Sequence, residues 1–470
     1  MPIFTHSKRM LWAPLVTDIG RRARGFARNH SSSLIGLFST SFFLNLANFG
    51  VSTLLVITTP ASVFATYLVG QSVVLLSASL ADGGLATAAR IIASKERPDA
   101  LLIATLQKVL NRYAVLLAVL AFVVIAVLVG AFSRFEETRG VHVPSSLLLL
   151  CAGIGIIQAR QGMCLGLIYS GGQFRPYSTA LLVPATIRLG CVSVLVVTRA
   201  NITLPMLLAN DLASSLVGWL FSSLWLRRLH AEVRTRVTAS NAPVLGQQVH
   251  RLLRSGMMPT FLEAVALQSV VLAGGAFGTG VAVATFGVFV RTIQIIKVVV
   301  DPLITYAERR LRLAAPAQRR RAEASLLGFI GGAYVLIASA ILLVYIAASA
   351  IFHHYALGHI AELAVCLIST LVAFMYLCLD SILLSRGYAN FRLAGTILQV
   401  TTALLSVTIL HPATLWQLVF LNGIIAVPRF VFYAWFYLRR LSARTVWTLW
   451  VPETVQAVSP IVVPTNPPVR

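Results

Sequence analysis

Twelve apolar stretches, each long enough to cross a bilayer, occupy most of this chain. At about 1.5 Å of rise per residue, roughly 20 apolar residues cover the hydrocarbon core. A first group runs Ser33 to Thr58, Ala61 to Leu85, Tyr113 to Phe132, Ser145 to Ile168, Tyr177 to Val197 and Leu204 to Leu226. A second runs Met257 to Phe277, Val281 to Tyr306, Leu326 to Phe352, Ile360 to Leu384, Leu393 to Leu410 and Leu415 to Tyr437. All are expected to be helices, because backbone in lipid must satisfy its own hydrogen bonds. The alternation of a membrane barrel strand is missing from these solid runs. With 57% hydrophobic and 11% charged residues, the sequence leaves no soluble domain of any size.

Basic loops stay on the cytoplasmic side, whereas acids contribute little to orientation. With both termini cytoplasmic, 30 of the 38 Lys and Arg residues fall in cytoplasmic segments, and only Arg134, Arg139 and Arg199 in outer loops. The net charge of +23 then reflects topology and anionic inner-leaflet lipid, and no nucleic-acid partner is expected. Residues 1–32 read as a basic cytoplasmic segment on the inner surface rather than a cleavable signal. Residues 439–470, with Trp447 and Trp450 followed by four prolines from Pro460 to Pro468, read as a cytoplasmic tail. The five cysteines lie inside spans without C-x-x-C spacing and read as packing residues. His353, His354 and His359 share a short outer loop and read as interfacial histidines, so neither metal nor cofactor is expected.

Two patterns recur at nearly one spacing. Asp82, Leu85, Ala88 and Arg90 reappear as Asp301, Ile304, Ala307 and Arg309, 219 residues on, and Phe174-Arg175 reappears as Phe391-Arg392, 217 residues on. They argue for two six-helix lobes, residues 33–226 and 257–438, joined by a basic cytoplasmic connector over 227–256. An even number of spans per half gives both halves the same orientation. The expected architecture is thus all-α, with two parallel repeats around a central cavity, as in transporters that expose a site to each side in turn.

Ionisable groups deep in a span cost about 2.5 to 3.5 kcal/mol each on insertion scales, so most face a cavity or a partner. The basic ones are Arg160, Arg188, Arg291, Lys297 and Arg429; the acids are Asp82, Asp211, Glu263, Asp301, Glu362 and Asp380. In the eighth span Arg291, Gln294, Lys297, Asp301, Thr305 and Glu308 recur every three or four residues and share one helical face. Ser41, Asn45, Asn48 and Ser52 make an uncharged stripe in the first span. These helices, from opposite halves, are candidates to line the cavity. Arg160, Arg188, Arg291 and Lys297, with Gln294, Asn45 and Asn48, suit an anionic substrate, since a desolvated guanidinium binds phosphate bidentately. Asp82, Asp211, Glu263 and Asp301 are the candidates for exchanging H+ or Na+. The structural alternative is that Lys297 and Asp301 neutralise each other, and that Arg188 or Arg429 pairs with an acid between helices.

The segments Leu80 to Glu96, Tyr169 to Gly190 and Thr285 to Leu303 resemble the polysaccharide transporter family, the Wzx-type flippases of lipid-linked oligosaccharides. That family belongs to the larger group that also holds the multidrug and toxic compound extrusion transporters. The resemblance implies a substrate, undecaprenyl pyrophosphate carrying a sugar repeat unit, turned from the inner to the outer leaflet of the bacterial cytoplasmic membrane. It also implies a cavity lined by the first, second, seventh and eighth spans, and contact with other polysaccharide-assembly proteins. A cation-coupled multidrug antiporter of the same fold is the nearest rival, but it is expected to carry an acid-dominated cavity. A major-facilitator signature is not matched by Ala81 to Arg90. A membrane polymerase or other enzyme needs a catalytic surface outside the bilayer, and the longest outer loop, Ser133 to Pro144, is too small for one.

Overall fold

The computed structural model describes residues 39–95, 100–135, 141–170, 173–198, 201–231, 242–313, 316–351, 358–385 and 389–442. The N-terminal segment, most of the C-terminal tail, and His353 and His354 lie outside the described residues. Thirteen helices follow one another: α1 Ser39–Thr58, then α2 Ala61–Asp82, α3 Leu85–Lys95, α4 Ala100–Phe135, α5 Ser145–Ser170, α6 Phe174–Val197, α7 Leu204–Ala231, α8 Ala242–Phe277, α9 Gly280–Leu313, α10 Pro316–Ile351, α11 Ile360–Ser385, α12 Ala389–Leu410 and α13 Leu415–Ser442. Among the described residues, eleven helices are long and apolar enough to span a membrane. The eighth expected span, α9, has a shorter apolar part, Gly280–Ile296. Its helix continues well beyond that, with Lys297 and Asp301 on its course. The chain is a multi-pass membrane protein, and its surface agrees. Along α4, Leu116, Val119, Val123 and Val127 are exposed at 53% to 66%, which only a hydrocarbon solvent favours.

The two halves pack alike. α2 lies on α4 and α5 as α9 lies on α10 and α11; α7 lies on α5 and α6 as α13 lies on α11 and α12. The lobes meet where α2 touches α8 and α9, and where α4 touches α8. At the end of the bundle carrying the α1–α2 and α8–α9 turns, Val141 N–H donates to the Gly275 carbonyl at 2.8 Å across this boundary. The opposite end bears the start of α1 and the end of α13.

One sequence expectation needs correction. The second span does not run to Leu85: α2 stops at Asp82, and Gly83 and Gly84 turn the chain with φ of 48° and 87°, which favours glycine. α3 then starts as a separate helix, its first amides capped by Asp82, which accepts from Gly84 N–H at 3.1 Å and Ala86 N–H at 3.0 Å. The described parts of the connector over 227–256 are helical. α7 continues to Ala231, α8 begins at Ala242, and Leu245, Val249 and Leu253 are buried on one face against side chains of α3, α4, α5 and α7.

Close helix contact without a hydrophobic driving force relies on small residues. Gly155 of α5 is the clearest case, since a Cβ there would lie 2.3 Å from the Val74 carbonyl oxygen of α2. Beside it, the Ser77 hydroxyl donates to the Ala152 carbonyl at 2.8 Å. Gly155→Val should therefore destabilise the N-terminal lobe by about 1–3 kcal/mol, the usual cost of overpacking. A lowered thermal unfolding midpoint in detergent, with Gly190→Val unchanged at an open position, is the expected result.

Candidate functional site

Burying a charge in a span forces the neighbouring helices to supply its partners. In the N-terminal lobe the charge is Asp211 of α7, 2% exposed. Arg188 of α6 approaches it with Nε 2.6 Å from Oδ1. The Tyr67 hydroxyl of α2 donates to Oδ2 at 2.9 Å, and the Gln71 side-chain amide donates to the same oxygen. Arg188 also donates to the Tyr67 hydroxyl, and its Nη1 lies 3.4 Å from Oδ1 of Asn48 on α1. Asn210 donates to the Arg188 carbonyl at 3.1 Å. Four helices are thereby tied to one ion pair.

The pair lies on the boundary between lobes, because α2, which carries Tyr67 and Gln71, is the helix that packs on α8 and α9. Arg291 of α9 comes within electrostatic reach of Tyr67, Arg188 and Asp211 from the other lobe. Its described hydrogen bond goes to Gln294 on its own helix, at 3.2 Å. Arg188, Arg291 and Asp211 together hold one positive charge in excess. Beside them, lined by α1, α5, α6 and α7, is an open cavity of about 240 Å³ that reaches Arg188 and Asn48.

Pro184 helps to make that cavity. Its ring supplies no N–H, so the Ala180 carbonyl one turn earlier loses its helical donor. Gln161 of α5 replaces it, donating to that carbonyl at 3.2 Å.

The C-terminal lobe holds a larger charge set nearer the end that bears the start of α1 and the end of α13. Arg429 of α13 is fully buried, with Nη1 3.1 Å from Glu263 of α8 and Nη2 3.7 Å from Asp380 of α11. Arg392 of α12 meets the same two acids, at 3.0 Å and 3.4 Å. Arg429 further donates to Gln399 at 2.8 Å and to the Tyr433 hydroxyl at 3.3 Å, and its guanidinium lies 4.5 Å from the Tyr376 ring centre. Tyr433 in turn donates to Asp380 at 3.1 Å. Two acids and two arginines close on themselves across α8, α11, α12 and α13.

Of the expected site residues, the structure brings Asn48, Arg188 and Asp211 together and places Arg291 and Gln294 close by. Asn45 turns back onto its own helix, donating to the Ser41 carbonyl at 2.8 Å. Arg160 sits in α5 half-buried near Cys164, outside both clusters. Glu263 belongs to the second cluster and Asp82 to the α3 cap. The side chains of Lys297 and Asp301 lie outside the described residues. Tyr67, Gln71, Gln399, Tyr433 and Arg392 were missed; the i, i+4 spacing of Tyr67 and Gln71 in an otherwise apolar span is the signal that marks them.

No family model and no curated protein matches the sequence. Solved structures are similar in fold. A MOP superfamily transporter from Pyrococcus furiosus Vc1, described as having a binding pocket of reverse polarity that suggests a different function, aligns at a TM-score of 0.59 and 14% identity. That alignment covers 88% of this chain and 96% of the other. A multidrug resistance MATE family transporter of the same superfamily aligns in its outward-facing conformation at 0.57 and 15%, covering 87% and 95%. Its inward-facing conformation aligns at 0.56 and 14%, covering 87% and 96%.

Removing one member of a buried ion pair typically costs 3–5 kcal/mol, because the partner charge is stranded. Arg429→Met should therefore lower the unfolding midpoint sharply, and Arg429→Met combined with Asp380→Asn should recover part of the loss by restoring neutrality. A double variant less stable than either single one would contradict this charge balance.

Proposed function

We propose that this protein is a flippase that carries an undecaprenyl-pyrophosphate-linked oligosaccharide across the bacterial cytoplasmic membrane by alternating access, both termini facing the cytoplasm. The support for the reading is Arg291 of one lobe lying within electrostatic reach of the Arg188–Asp211 pair of the other, where the lobes pack. Arg188 is matched by Asp211, so the excess positive charge invites an anion that both lobes share. A pyrophosphate head fits, because desolvated guanidinium groups bind phosphate oxygens in paired, charge-assisted hydrogen bonds. The apolar tail stays in lipid while the head moves with the lobes, and the repeat unit extends the same path towards the polysaccharide-assembly proteins that use it.

A cationic drug as substrate fits less well. It calls for a free carboxylate, and Asp211, Glu263 and Asp380 each face an arginine. Of the acids considered for H+ or Na+ coupling, Asp211 is the one placed to communicate with substrate, since neutralising it releases Arg188. Glu263 is held by two arginines and Asp82 by the start of α3.

Arg291→Gln should reduce export of surface polysaccharide at least tenfold, with lipid-linked repeat units accumulating in the inner leaflet and the protein remaining folded in the membrane. A charge-assisted hydrogen bond contributes about 1.5–3 kcal/mol, which is the size of that loss. Wild-type export by Arg291→Gln would refute the reading.

A further inference from the structure

The cavity inside the N-terminal lobe differs in chemistry from the patch beside it. Its polar edge is made of Asn48, Gln158, Gln161, Ser214 and Ser215, amides and hydroxyls without a carboxylate, and Arg188 is the one charged residue on its wall. The rest of the lining is mainly aliphatic: Leu44, Leu165, Leu181, Pro184 and Ala185. No residue of α8 to α13 is among the described lining.

Such a wall suits neither a phosphate nor a cation. A phosphate would find a single guanidinium, already engaged with Asp211 and Tyr67, and a cation would find no acid. A sugar ring matches this mixed lining, because it carries hydroxyls around its rim and C–H groups on its faces. At about 240 Å³ the cavity has room for one ring. The polar edge also retains bonding capacity. Gln158 donates to Ser215 at 3.2 Å and Gln161 to the Ala180 carbonyl, which leaves the amide oxygen of each as an acceptor for a hydroxyl.

We infer that this cavity is the seat of the sugar residue attached to the pyrophosphate. Arg188 joins the two subsites, since it lines the cavity with one side and belongs to the boundary cluster with the other. The inference rests on the flippase reading, and it assigns recognition of the first sugar to the N-terminal lobe alone. The charged boundary then reads the phosphates whatever sugar follows.

Gly162 offers the test. It lies on the cavity wall, and a Cβ built there meets nothing within 4 Å, so a larger side chain fills the cavity without displacing a helix. Gly162→Leu should cut export of surface polysaccharide at least tenfold in source cells lacking the native copy. The purified variant should bind inorganic pyrophosphate as the wild type does and keep its unfolding midpoint. Gln158→Met, which removes the amide at similar volume, should lower export as well and guards against a misfolded Gly162→Leu. Gly190→Leu, at an exposed open position on α6, should export normally. Full export by folded Gly162→Leu and by Gln158→Met would overturn the assignment. Loss of pyrophosphate binding in Gly162→Leu would also overturn it, by showing that the cavity seats the phosphates. Normal pyrophosphate binding and export in Arg291→Gln would instead strike the flippase reading itself, so the two failures are separable.

Discussion

Hydrocarbon provides no partner for a charge, and much of this structure follows from that deficit. An ionised side chain inside the bundle persists when neighbouring helices bring it an opposite charge and hydrogen bonds. Asp211 of α7 therefore recruits α2 and α6, and Arg429 of α13 recruits α8, α11 and α12. These polar ties set which helices approach and at what depth. The apolar packing that fills the remaining space, as around Gly155, is less directional and could tolerate several arrangements.

The two lobes share a packing plan but solve the charge problem differently. In the N-terminal lobe the ion pair stands at the boundary with its neighbour and beside a cavity, where Arg291 adds an unmatched positive charge. In the C-terminal lobe the four charges are satisfied inside one bundle. The halves share a packing scaffold, and the charged residues on it differ. The Phe-Arg repeat illustrates this, because Arg175 is exposed whereas its counterpart Arg392 reaches Glu263 and Asp380.

Spans were legible because hydropathy depends on composition over a window and not on tertiary contacts. The α8–α9 turn and the polar face holding Arg291 and Gln294 were legible for the same reason, as local pattern. The break after Asp82 was obscured: the run Asp82-Gly83-Gly84 is a turn signal, but apolar residues on both sides let it pass as one span. Arg392 was read as a flanking cytoplasmic charge because it precedes an apolar run, whereas α12 begins at Ala389 and carries it into the bundle. Tyr67, Gln399 and Tyr433 resemble ordinary packing residues until a charge is found against them. Pairings such as Arg188 with Asp211 join residues from different helices, and single-chain periodicity has no access to them.

The closed set of Glu263, Asp380, Arg392 and Arg429 has an electrical consequence. Moving one elementary charge through the full membrane potential involves about 2.3 kcal/mol per 100 mV. Four charges that sum to zero and travel together do almost no work against that field, so the C-terminal bundle can tilt without feeling the voltage through them. Among these described side chains, Arg291 has no such counterweight on its own lobe, so in the proposed lobe motion its charge is one on which the membrane voltage would act.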